Sequence, residues 1–391
     1  MKKNKILCVV SANPGHIDLG GNGFISVANE LSDNGQEVIW LSRAGQVDRL
    51  KKLQQNVSDE STIPHLWLYA NTLNAKSNPK ILNTICQSLI AFKTRLESIK
   101  PDIIIFDRVL TLGALAAKQL EIPYISIGSP GGYWSNESGY LQPHNTPIDT
   151  YVEIEQLICN KLQWRVKPEG SFWLDSPYIN ICFIASPFYT SIKSKFSTTA
   201  YVNNFSDLKD KLKTSNNIGI SFGNTGSIEL MTHILDNLHN SKLNIASTID
   251  VYTGNRPDLI QQLKRRYIKS NTNIHGWIDY SNQLQKHKFF IFMGGIGTIW
   301  HCLNQNVPMC IIPSRMTDQV FNSQVIGQLG LGEFLLLDKP DANAVINTIK
   351  KIDKNSEADQ YKNSIRQLRA EKNFSDTIKT ICEKICSLIS Q

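Results

Sequence analysis

The chain has 391 residues, 41% of them hydrophobic and 19% charged, which excludes a disordered, fibrous or membrane-embedded protein and is too long for one ordinary core, so two domains are expected. The net charge of +7 suits an anionic partner. The lysines are scattered, however, which reads as mild attraction for phosphates or a membrane surface and argues against nucleic-acid binding. The eight cysteines (8, 86, 159, 182, 302, 310, 382 and 386) form no CxxC pair and fall mostly in apolar segments, so they read as free thiols of a cytoplasmic protein.

The first apolar run, KILCVVSA (5–12), follows a basic start but is short and meets NPGH instead of a small-residue cleavage site; it reads as a first strand and not as a secretory signal. No later run approaches the roughly 18 apolar residues of a membrane span. Further short apolar runs follow at EVIWLS (37–42), DIIIFD (102–107) and PYISIG (123–128), separated by helical patterns such as GFISVANELSDNG and LGALAAKQLEI. Continuous apolar strands alternating with helices predict a parallel sheet covered on both faces.

A stretch rich in Pro, Gly, Ser and Asn (129–147) and an irregular aromatic section to about 205 interrupt this rhythm. It restarts at NIGISFG (217–223), NIASTIDVYTG (244–254), NIHGW (273–277), FFIFMGG (289–295), PMCIIPS (308–314) and EFLLLD (333–338). Two doubly wound α/β domains in tandem are the expected architecture, over 1–205 and 206–375, with a linker near 200–215. In the last stretch Ile378, Ile381, Ile385 and Leu388 share one helical face, which predicts a terminal helix over 376–391 that packs back on the first domain.

The chemistry begins at FIFMGGIGT (290–298), where a buried strand runs into Gly294 and Gly295 and a helix is expected to start near Gly297. Ligands of open parallel sheets bind at such carboxyl ends. Without Cβ atoms the turn lets an oxyanion approach the amides of Gly295, Ile296 and Gly297, and a helix N-terminus favours negative charge there. Thr298 adds a hydroxyl. The expected guest is a phosphate or diphosphate; a tight strand-to-helix turn with no ligand is the alternative.

Together with HGWIDYSNQL upstream and NVPMCIIPSRMTDQVFNSQVIGQLGLG downstream, the segment from Gly276 to about Gly332 resembles the donor-binding signature of the nucleotide-sugar-dependent glycosyltransferases of the GT-B fold, which include plant secondary-metabolite and bacterial macrolide enzymes. The resemblance implies two Rossmann-like domains facing across a cleft. It implies that Trp277 stacks on the nucleobase and the backbone of Ile278 pairs with its edge. Gly295, Gly297 and Thr298 match the diphosphate turn, Asp318 and Gln319 match the pair that bonds sugar hydroxyls, and Asn322 lies where a polar residue often follows. Gly223 and Asn224, in ISFGNTGS, resemble the first donor-domain loop, and Gly254 stands at the following strand end. Taken singly, Trp277 reads equally as a core tryptophan, and Asp318 with Gln319 as a helix N-cap and its neighbour.

Two positions depart from the family. Met293 stands where the family has a His that donates to a phosphate oxygen, and His301 where it has a ribose-binding Glu. The PSRMTDQ loop is one residue longer than the common pattern, and Arg315 or His301 is a candidate to restore positive charge near the diphosphate.

Glycosyl transfer with inversion needs a base for the acceptor hydroxyl, and histidine backed by a carboxylate suits that task near neutral pH. His16 in NPGHIDLGG follows the first strand and Asp107 in IIIFDRV ends a later one, and the resemblance implies that they form such a dyad; Asp18 and His144 are the alternative bases. Tyr133, Trp134, Tyr140 and His144 are expected to line the acceptor pocket. The expected activity is inverting transfer of a hexose from a UDP- or dTDP-linked donor to a hydroxyl of a small molecule, a natural product, without metal or cofactor. A non-catalytic GT-B scaffold and a membrane-surface enzyme acting on a lipid-linked acceptor stand as alternatives, and the oligomeric state is left open.

Overall fold

A computed structural model describes residues 3–11, 23–42, 44–58, 74–128, 148–169, 176–182, 199–201, 217–221, 223, 228–240, 248–254, 256–268, 270–313, 317–336, 342–370 and 378–390. The chain divides into one unit of Met1–Asn204 with Phe374–Gln391 and a second of Phe205–Asn373.

In the first unit the strands are β1 (Lys5–Val10), β2 (Glu37–Ser42), β3 (Ile103–Asp107), β4 (Tyr124–Ile127), β5 (Asn180–Cys182) and β6 (Thr199–Tyr201). They form one sheet in the order β2-β1-β3-β4-β5-β6, and every pairing is parallel. The helices that bear on the argument are α1 (Phe24–Asp33), α2 (Pro79–Ile99), α3 (Gly113–Gln119) and α4 (Ile148–Leu162). Helix α2 shows how local sequence sets the boundaries. Asn78 caps its start by accepting from the amides of Lys80 and Ile81, Pro79 occupies the first turn, and Lys100 ends it in the left-handed region at φ 53°. Its apolar face, Ile85, Leu89, Phe92 and Leu96, packs with Leu7, Val9, Ile104 and Phe106 of the central strands and with Ile154 and Ile158 of α4.

The second unit holds β7 (Asn217–Ser221), β8 (Ile249–Tyr252), β9 (Thr272–His275), β10 (His287–Phe292), β11 (Met309–Ile311) and β12 (Gly332–Phe334). Their order, β12-β11-β10-β7-β8-β9, is again all parallel, and it reverses direction between β7 and β10. The helices are α5 (Ile228–Asn240), α6 (Pro257–Arg266), α7 (Ile296–Gln305), α8 (Thr317–Gln328) and α9 (Ala342–Asp353). Ile218, Ile220, Val251, Phe289 and Ile291 on one face of the sheet are buried with Ile234 and Leu235 of α5, Leu259 and Leu263 of α6, and Val345 and Ile349 of α9. Helix α10 (Ile378–Ser390) completes the first unit. Its Ile381, Cys382 and Ile385 are buried, and the Cys382 thiol lies 3.7 Å from the Val27 carbonyl of α1.

One expectation needs correction. The section to about 205 is not simply irregular, because it contains α4 and the strands β5 and β6 that extend the first sheet. NIC and TAY are three residues each, too short for alternation or an apolar run to register. The eight cysteines are free thiols, and burial pushes those of Cys310 and Cys382 up to about 12, far from the range of a reactive thiolate. Among the described residues no helix is long and apolar enough to cross a membrane.

Candidate active site

The strand-order reversal of the second unit places the ends of β7 and β10 side by side, the position where doubly wound sheets bind ligands. Strand β10 delivers Phe289, Phe290, Ile291 and Phe292 into the core and then turns. The three glycines of that turn do different work. Gly294 has φ +90°, and a Cβ on it would stand 3.0 Å from the backbone oxygen of Gln319 and 3.0 Å from Cγ2 of Ile311. Its lack of a side chain serves the protein, by letting the turn close on α8. Gly295 and Gly297 have nothing within 4 Å of the place a Cβ would occupy, so they border open space. Gly295 is the N-cap of α7, with extended backbone and no capping side chain. The first-turn amides of Ile296, Gly297 and Thr298 have no intrahelical acceptor, and the dipole of a ten-residue helix stands behind them. The helix begins at Ile296, one residue earlier than expected.

Side chains from two neighbouring segments fix this turn. Asn322, 4% exposed, donates from Nδ2 to the Gly294 carbonyl at 2.9 Å. Gln319, on the same helix, is buried beside it. The Tyr280 hydroxyl lies 3.2 Å from Thr298 Oγ1 and also bonds Ser221 at the end of β7, while burial pushes its phenol up. The Tyr280 ring stacks on His301 at 4.5 Å and 10°. Met293, where the resembling family has a phosphate-binding His, is buried in the apolar cluster of the opposite face, so a thioether replaces that donor. Sequence spacing does not expose Tyr280, because its partners lie on two distant segments, Ser221 at the end of β7 and Thr298 with His301 on α7.

Trp277 follows the end of β9 and is 52% exposed, whereas its neighbour Ile278 is buried. That exposure rules out the core-tryptophan alternative. Gly223 and Gly254, just past the ends of β7 and β8, have φ +56° and +68°, so the adjacent strands β8, β7 and β10 all lead into glycine turns on one edge of the sheet. Asp318 lies in the first turn of α8, but its side chain is outside the described residues. Asn224 and Arg315 also lie outside them.

In the first unit the strand order reverses between β1 and β3. Asp107 is the last residue of β3 and is 3% exposed. Its Oδ2 accepts from the Ser11 amide at 3.1 Å and its Oδ1 from the Val109 amide at 3.4 Å. Ser11 is the first residue after β1, so the segment leading to His16 departs from beside this carboxylate. The neighbouring Arg108 is also buried and donates to Ser126 Oγ at 3.1 Å and Cys182 Sγ at 3.4 Å. His16, Asp18, Tyr133, Trp134, Tyr140 and His144 lie outside the described residues.

The chain and its fold have known counterparts. Residues 218–381 match the glycosyltransferase family 28 C-terminal domain. Over 386 residues, 91% of each chain, the protein is 22% identical to the NDP-glycosyltransferase YjiC of Bacillus subtilis (strain 168). Among solved structures it is similar to the glycosyltransferase VinC in complex with dTDP, with a TM-score of 0.70, 12% identity and 99% of both chains covered. It is also similar to the calicheamicin glycosyltransferase CalG4, with a TM-score of 0.68, 14% identity and 100% of this chain and 99% of that one covered. The spinosyn rhamnosyltransferase SpnG, complexed with thymidine diphosphate, gives 0.65 at 14% identity, covering 97% and 99%.

The two parallel-sheet units are thus those of the GT-B fold, and the protein is a glycosyltransferase that uses a nucleotide-diphosphate sugar. The resemblance read from residues 276–332 is borne out at the level of family type, fold and enzyme class.

Proposed function

We propose that the protein is an inverting glycosyltransferase that moves a hexose from a dTDP- or UDP-linked donor to a hydroxyl of a small natural product. The observation that carries this reading is the buried Asp107 carboxylate, pinned by the Ser11 amide where the chain leaves β1 towards His16. In this reading Asp107 holds the His16 imidazole in one tautomer and stabilises its protonated form. His16 takes the proton of the acceptor hydroxyl as the oxygen bonds to the anomeric carbon. The bond from that carbon to the diphosphate oxygen breaks on the opposite face, which inverts the configuration, and the nucleoside diphosphate leaves with the electron pair.

On the donor side, Trp277 stacks on the base and the Ile278 backbone reads its edge. The amides of Gly295, Ile296 and Gly297 with the Thr298 hydroxyl receive the diphosphate, with Gly223, Asn224, Gly254, His301 and Arg315 around it. The uncapped helix N-terminus stabilises the leaving charge, so no metal or cofactor is required. Asp318 and Gln319 bond the sugar hydroxyls, and Tyr133, Trp134, Tyr140 and His144 receive the acceptor. The solved complexes of VinC and SpnG with dTDP support a dTDP donor, and the names of the calicheamicin and spinosyn enzymes support a natural-product acceptor. The test is proton NMR of the product formed from an α-linked dTDP- or UDP-hexose and a phenolic or macrolide acceptor. A β-linked glycoside is expected, and an α-linked one overturns the inverting mechanism.

A further inference from the structure

The excursion between β9 and β10, residues 276–286, presents Trp277, Ile278 and Tyr280 and is flanked by two histidines. His275 closes β9 and His287 opens β10. Both rings reach the same carboxylate: His275 Nε2 is 3.3 Å from Asp250 Oδ1 and His287 Nε2 is 3.3 Å from Asp250 Oδ2. Asn273 donates to Oδ1 at 2.8 Å and Asn217 to Oδ2 at 3.1 Å. Four partners on two oxygens use the acceptor capacity of an ionised carboxylate. Burial alone would push the Asp250 carboxyl up, but the bonds from His287, Asn273 and His275 outweigh it and hold the group well below the usual carboxylate range.

Each histidine passes this anchorage on to the excursion. The His275 carbonyl accepts from the Thr253 amide at 3.1 Å and from Thr253 Oγ1 at 3.2 Å, and its ring stacks on Tyr252 at 5.0 Å. A register shift between His287 and Phe289 puts the His287 ring on the Asp250 face of the sheet. There its Nδ1 lies 3.0 Å from the carbonyl of Leu284, in the 3-10 turn Leu284–Lys286 that ends the excursion.

We propose that Asp250 is a positioning residue for nucleobase recognition: one buried carboxylate anchors both ends of the segment that presents Trp277. The other face of the same strands is closed by hydrocarbon, through Ile218, Ile220, Ile249 and Val251. Packing therefore did not require a charge here, and a buried carboxylate costs more than an apolar residue unless every partner is in place. Trp277 is half in solvent, so its placement rests on the backbone on either side of it. The inference rests on the reading of Trp277 as the base platform given above.

The test is calorimetric titration of the full chain with dTDP, UDP and inorganic pyrophosphate. Asp250→Asn turns an amide onto donors, and it is expected to weaken nucleoside diphosphate binding by roughly tenfold or more while pyrophosphate affinity stays unchanged. In a Trp277→Ala background the same substitution should add no further loss. His275→Ala, at a side chain that is 39% exposed, carries the same selective expectation should Asp250→Asn fail to fold. Equal losses for nucleotide and pyrophosphate, or no loss for the nucleotide, overturn the positioning role. A wild-type chain that binds pyrophosphate but no nucleoside diphosphate overturns the base-platform reading itself, and the positioning role with it.

Discussion

The side-chain amide of Asn322 donates to the Gly294 carbonyl at 2.9 Å, and so ties the turn after β10 to helix α8. That bond fixes one side of the turn whose other side, at Gly295 and Gly297, is open. Substitutions on the two sides should therefore separate stability from ligand binding. Gly294→Ala places a Cβ against the Gln319 backbone at φ +90° and should cost ~1–3 kcal/mol of unfolding free energy. Asn322→Ala leaves a buried carbonyl without its donor and should cost a similar ~1–3 kcal/mol. Gly297→Ala, in the first turn of α7, should leave stability unchanged or slightly higher but weaken pyrophosphate binding. Urea unfolding alongside titration distinguishes the two classes.

Trp277→Ala removes a side chain that is 52% exposed, so unfolding free energy should move by less than ~0.5 kcal/mol. If the indole stacks on a base, nucleoside diphosphate binding should weaken by ~1–3 kcal/mol. Quenching of tryptophan emission on titration with dTDP should be smaller in the variant.

The Asp250 network gives a pH dependence with a definite sign. Its carboxyl is held below the usual range in the folded protein, so its stabilising contribution is fully present above the unfolded value near about 4 and is lost as pH falls through the lower folded value. The gap in unfolding free energy between wild type and Asp250→Asn should hold steady from neutral pH down to roughly pH 4 and narrow only below it. Urea midpoints measured across that range check this. A gap that closes already between pH 7 and 5 would assign the effect to another group.

Catalysis is predicted to fail without loss of donor binding. Asp107→Asn keeps a side-chain oxygen for the Ser11 amide but removes the charge behind His16, and kcat should fall by roughly 10²–10⁴ with donor affinity preserved. His16→Ala should abolish transfer in the same way. Turnover retained in His16→Ala would move the base to Asp18 or His144.

What the sequence revealed follows the range of the interactions. FIFMGGIGT was legible because strand, turn and helix start are contiguous, and the apolar runs of β1, β2, β3 and β10 announce buried parallel strands. Which glycine serves the fold was not legible, since the crowding at Gly294 comes from Gln319 and Ile311, on other segments. Asp250 left no signal for the same reason: its partners at 217, 273, 275 and 287 come together only once four strands have paired. The strands β5 and β6 are too short to carry a pattern. Trp277 read equally well as core or platform until its exposure was known.

The most direct test of the donor site is calorimetric titration of the purified wild-type protein with dTDP, UDP and pyrophosphate, without added metal. The account predicts that one nucleoside diphosphate binds with a Kd on the order of micromolar, far more tightly than pyrophosphate. Absence of binding by both nucleotides would contradict it.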